Sequence, residues 1–85
     1  MWNHRVIRTK NEPPAIDPYS FQIHEVYYEN SKLFMWSGAR TPYGETYEEL
    51  KEELKWYLKA CSQPVLEVVT INGRETLKEV SDVDM

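Results

Sequence analysis

The sequence predicts an α+β domain of β-β-β-α-β order. It comprises an antiparallel three-stranded meander, one amphipathic helix packed on the sheet, and a fourth strand. Three observations predict it. Tyr19 to Glu29 alternates in polarity, and Asn30-Ser31 makes a short turn into a second such run, Lys32 to Ser37. Thr46 to Gln63 reads as a capped amphipathic helix stopped by Pro64. Val65 to Ile71 is dense in Val and Ile, the residues that best suit a buried pleated surface.

Taken in order, Trp2 to Thr9 is a first strand, with Val6 and Ile7 pointing to opposite faces. Lys10 to Pro18 is a loop, because Pro13, Pro14 and Pro18 lack the N–H that a ladder or a helix needs. In Tyr19–Glu29, the residues Phe21, Ile23 and Tyr27 share one face, while Gln22, His24, Val26 and Tyr28 share the other. Glu25 falls on the Ile23 face, which calls for a bulge near His24-Glu25 or a place at the sheet margin. Lys32 to Ser37 sets Leu33 and Met35 on one face, Phe34 and Trp36 on the other. Gly38 to Glu45 is a loop, with a turn at Pro42-Tyr43-Gly44. Thr46 stands three residues before Glu49, the capping-box spacing. Tyr47, Leu50, Leu54, Tyr57, Leu58 and Cys61 form the stripe expected to face the sheet, so Leu54→Ala should cost about 2–5 kcal/mol. After Val65–Ile71, Asn72-Gly73 signals a tight hairpin. Arg74 to Val80 is then open between a fifth strand and a short helix, and Ser81 to Met85 is expected to fray. A right-handed crossover places the fourth strand parallel to the first, giving the sheet order third, second, first, fourth. Residues 1–85 read as a single domain.

Composition narrows the function. The net charge is −4, so the balance argues against nucleic acid as a partner, although Arg5, Arg8 and Lys10 cluster near the start as expected solvated strand ends. Cys61 is the only cysteine, which excludes an intramolecular disulfide and suits a cytoplasmic protein. Met1 to Arg5 lacks the apolar run of a signal peptide, and no stretch has the length of a membrane span.

Two resemblances arise from these residues. Trp2-Asn3-His4-Arg5-Val6-Ile7, Ile23-His24-Glu25-Val26-Tyr27-Tyr28, Pro42-Tyr43-Gly44-Glu45-Thr46 with Glu48-Glu49-Leu50, and Pro64-Val65-Leu66 resemble a family of small uncharacterised bacterial proteins. That likeness implies no activity. Gly44-Glu45-Thr46-Tyr47-Glu48-Glu49-Leu50 after a meander also resembles the HicB-type antitoxin domain, which implies a partial ribonuclease-H-like topology. The Pro-rich segment of that family ending in Gly-Cys is missing here; only Pro42-Tyr43-Gly44 stands near its place.

No catalytic, cofactor-binding or metal-ligating set emerges. His24 and Glu25 are adjacent on a strand, so they point to opposite faces and cannot share one proton transfer. His4 and His24 alone make a poor zinc site. The strand acids Glu25 and Glu67 are too few for a carboxylate-held magnesium. Glu45, Glu48, Glu49, Glu52 and Glu53 read first as a solvated helix start, favoured by the helix dipole. Cys61, on the apolar stripe, reads as a buried structural thiol. The aromatic surplus (three Trp, six Tyr, two Phe) is the remaining signal. Tyr28, Phe34 and Trp36 on a sheet face the helix leaves open, and Trp56 on the outer helix face, form the candidate interaction surface. The expected function is a non-catalytic binding module that self-associates, with Trp36 central to a homodimer, or docks on another protein. The alternative is a HicB-like antitoxin or nucleic-acid-linked regulator.

Overall fold

A computed structural model describes residues 1–14 and 16–81. Beyond Ser81, the expected fraying lies outside the described residues. The chain forms β1 (Trp2–Lys10), β2 (Tyr19–Glu29), β3 (Lys32–Ala39), α1 (Tyr47–Ala60), β4 (Leu66–Ile71) and β5 (Arg74–Glu79). One five-stranded sheet holds them in the order β3-β2-β1-β4-β5. β1 and β4 run parallel and the other neighbours antiparallel. The order expected for the first four strands is observed, and Arg74–Glu79 is a strand rather than a helix. Its hairpin turn explains the choice. Asn72 and Gly73 take φ of 54° and 74°, the left-handed pair that a two-residue turn requires. Asn30 and Ser31, at 52° and 64°, do the same between β2 and β3.

The Thr46 cap forms as its spacing implies. The Thr46 hydroxyl accepts from the Glu49 N–H at 3.1 Å. The returning contact goes one residue further out, with the Glu45 N–H donating to the Glu49 carboxylate at 2.9 Å. Gly44 is required here by space: a Cβ would collide with the backbone of Glu49 and Leu50. The last helical residue is Ala60, with Cys61 as C-cap.

Sheet curvature decides where the core sits. β3 and β5, at opposite ends of the strand order, touch each other. The sheet therefore curls, and its concave face closes on itself. Ile7, Val26, Leu66 and Leu77 form the buried cluster there, and Tyr28, Leu33, Trp36 and Val68 pack around it. α1 lies on the other face, against β1, where His4 stacks on Tyr57 with centroids 4.9 Å apart.

This corrects two expectations. The first concerns the face of Val26, Tyr28 and Trp36, which is not open. Val26 is fully buried, and Tyr28 and Trp36 are half-buried. A bulge also rearranges β3: Tyr27 pairs with Met35 and Tyr28 with Leu33, leaving Phe34 as the extra residue. The extra residue turns Leu33 to the same side as Trp36, into the core, whereas strict alternation separates them. Phe34 stays exposed. A second irregularity lies opposite Glu25, where β3 carries one residue too many between Trp36 and Ala39. β2 itself keeps its alternation. The second correction concerns the helix. Tyr57 and Ala60 are buried, and Leu50 and Glu53 half-buried. Tyr47, Leu54, Leu58 and Cys61 are exposed. The helix is thus turned by about 70° from the orientation its apolar stripe predicts, and Cys61 is not a buried thiol.

Candidate functional site

The two arginines nearest the start illustrate how side chains here are committed. Arg5 is buried on the concave face. It donates to the Tyr28 hydroxyl at 3.0 Å and to the Pro64 carbonyl at 2.8 Å, and Glu79 lies 3.8 Å away. The Tyr28 hydroxyl in turn donates to Asn3 at 2.8 Å. Arg8, also buried, meets the Glu67 carboxylate at 3.4 Å and lies 4.0 Å over the Tyr19 ring. Only Lys10 of the three cations is exposed. The expected solvated cluster is instead two structural arginines on opposite faces of β1, which corrects that expectation and removes the basic patch.

The titratable residues on β2 are likewise held in place. Arg5 pairs with His24 and His4 with Glu25, so the two histidines point to opposite faces. His24 is buried, and its Nδ1 lies 2.9 Å from the Ser37 carbonyl. Glu25 is on the helix side, as alternation implies. It accepts from the Tyr27 hydroxyl at 2.6 Å and pairs with Arg40 at 3.2 Å. Glu25 and Glu67 each answer an arginine. Among the described residues, no group of three or more His, Cys, Asp or Glu is placed to hold a metal.

Two phenols are shifted. The hydrogen bond to Glu25, then burial, pushes Tyr27 above its ordinary value. Burial, then the neighbouring Glu53 carboxylate, pushes Tyr57 up, while Arg40 pulls the other way. The Tyr57 hydroxyl donates to the Thr41 carbonyl at 3.1 Å, tying α1 to the loop before it. A raised phenol means that the folded chain keeps a proton the unfolded chain releases near the ordinary tyrosine value. The resulting stability is complete below about pH 10 and is lost as pH rises beyond it. Denaturation midpoints at about pH 8 and about pH 11 should show the native chain losing more stability over that interval than Tyr57→Phe does. Equal losses contradict the assignment to Tyr57.

What remains available for recognition lies along α1. Trp56 is 54% exposed. With Trp2, Asn3, His4, Lys59 and Ala60 it lines a cleft of about 600 Å³. Trp2 is half-exposed and stacks edge-on against His4 at 5.2 Å. On the other flank of the helix Tyr47, Leu54 and Leu58 are exposed, Leu58 to 74%. Of the four residues expected to form one interaction surface, Tyr28 and Trp36 belong to the concave core, while Phe34 and Trp56 are exposed. Trp2 was missed by the sequence reading. Its signal was its place at the start of a strand, two residues from His4 on the same face, but that spacing does not reveal which helical residue lies opposite.

The chain matches no protein-family model, no curated protein and no solved structure in the comparisons made. None of its helices is long and apolar enough to cross a membrane, among the described residues.

Proposed function

We propose that the protein is a non-catalytic interaction module that docks on another protein through α1. The observation behind this reading is the orientation of the helix. Only a narrow strip of it, around Tyr57 and Ala60, meets the sheet, while Trp56, Leu54 and Leu58 face outward. Exposed aromatic and aliphatic side chains on a rigid element are the usual anchors of protein interfaces. The charged side chains on the sheet give the same picture, since Arg8 with Glu67 and Arg40 with Glu25 neutralise one another.

The dimer expected through Phe34 and Trp36 loses its basis. That expectation required an open sheet face, and Trp36 packs instead on the chain's own core. The nucleic-acid alternative loses its cationic feature, because Arg5 and Arg8 are buried.

The test is selection of peptides from a random display library against the immobilised native chain. Binders are then measured against the native chain and against Trp56→Ala, shown by circular dichroism to be folded. The expected result is a family of peptides whose affinity falls about tenfold or more on Trp56→Ala. No enrichment, or binding indifferent to Trp56, overturns the reading. Light scattering at micromolar concentration is expected to give a monomer mass.

A further inference from the structure

We propose that the Trp2–Trp56 cleft and the carboxylates beside it together take a basic segment of the partner: an extended stretch with one apolar side chain a few residues from lysines or arginines. This rests on the protein-docking reading above and adds the chemistry of the ligand. The cleft between Trp2 and Trp56 is the apolar end. A second, open depression adjoins it, lined by Glu45, Glu48, Glu49, Glu52, Glu53 and Trp56, with Tyr43 and Gly44 at its far side. Glu53 and Trp56 line both, so the apolar cleft and the acidic depression lie side by side along the helix.

The charge in the second depression is one-sided, while Lys59 lines the first beside Trp56. Five carboxylates line the second depression, and no lysine or arginine does. Lys51 and Lys55 approach Glu48 and Glu52 at 4.0 and 3.0 Å, but these are exposed side chains. Such pairs are weak and break readily for a competing cation. Glu49 has one carboxylate oxygen engaged by the Glu45 N–H. The helix N-terminus works against a cation here, but it carries only about half a positive charge, against five carboxylates. Trp56 already holds a cation, with Lys59 Nζ 5.3 Å from its ring centroid. An indole placed among acids takes a lysine or arginine by the same attraction. A second copy of this chain fits poorly, because its net charge is −4 and the depression is acidic.

The spacing is also set. Glu49 and Trp56 are seven residues apart, about 10 Å along the helix axis. An extended peptide covers that distance in about three residues. The apolar anchor and the first cation of the ligand are therefore separated by about that number.

The probe is a fluorescein-labelled peptide of about nine residues with a leucine three positions from a Lys-Arg-Lys run. Companion peptides replace the cations by glutamate or the leucine by serine. Fluorescence anisotropy is read at low and at physiological salt. The expected result is saturable binding of the basic peptide, weakened by salt. Affinity falls about tenfold or more when its cations become glutamate, when the leucine becomes serine, or on Trp56→Ala. Glu45→Gln with Glu52→Gln weakens it similarly; neither side chain supports the core, so folding is retained. Equal binding of the basic and glutamate peptides, or no effect of the two glutamine changes, overturns the proposal. Display-selected peptides that depend on Trp56 but carry no cations overturn it while leaving the docking reading intact. Absence of any Trp56-dependent peptide overturns both.

Discussion

Leu66→Ala is expected to lower stability by about 2–5 kcal/mol, while Leu54→Ala costs less than about 1 kcal/mol. Leu66 is fully buried, pairs with Ile7 across the parallel β1–β4 contact, and packs in the concave cluster with Val26 and Leu77. Truncation removes apolar area from a closed space and leaves a cavity that neighbouring strands cannot readily fill. Leu54 is 47% exposed on the outer side of α1, so shortening it opens no cavity. Chemical denaturation of the two variants separates the concave core from the apolar helix stripe as the source of stability. A larger loss for Leu54→Ala than for Leu66→Ala would place the core under the helix and refute the architecture described above.

Arg5→Ala is expected to cost about 3 kcal/mol. The guanidinium joins three separate parts of the chain: Tyr28 on β2, the Pro64 carbonyl ahead of β4, and Glu79 on β5. Hydrogen bonds from a charged donor contribute about 1.5–3 kcal/mol each, and the alanine loses those to both Tyr28 and Pro64. The contact with Glu79 contributes little, since that carboxylate is largely exposed. Arg5→Lys keeps the charge but not the fork that reaches Tyr28 and Pro64 at once. It should fall between the native chain and Arg5→Ala. A denaturation midpoint for Arg5→Ala close to the native one would mean that the arginine is dispensable, and the link between the meander and the β4–β5 hairpin lies elsewhere.

Gly44 and the buried arginines mark the limit of local reading. Gly44 was legible as a turn residue, but its need for space comes from the backbone of Glu49 and Leu50 folding back over it. Arg5 and Arg8 looked like strand-end cations because charged residues are rarely buried without partners. Their partners, Tyr28, Pro64 and Glu67, lie 23 to 59 residues away in the chain.

By itself, the sequence determined the first three strands, the helix and the fourth strand, in that order, and left Arg74–Glu79 open between strand and helix. Turn residues with left-handed φ, the Thr46 cap and the Val-rich run before Asn72-Gly73 act over a few residues, so their consequences are local and can be read directly. It also determined that His24 and Glu25 face opposite ways, because that follows from strand geometry alone. Only the tertiary structure decided which faces are covered. The curl that brings β3 against β5 closes the face of Val26 and Trp36, and the bulge at Phe34 brings Leu33 into it. With the core satisfied between strands, the helix no longer needs its apolar stripe inside. It docks through Tyr57 and Ala60, leaving Trp56 beside Trp2. Sheet curvature and helix rotation are set by the sum of many distant contacts, and no short stretch of residues encodes that sum.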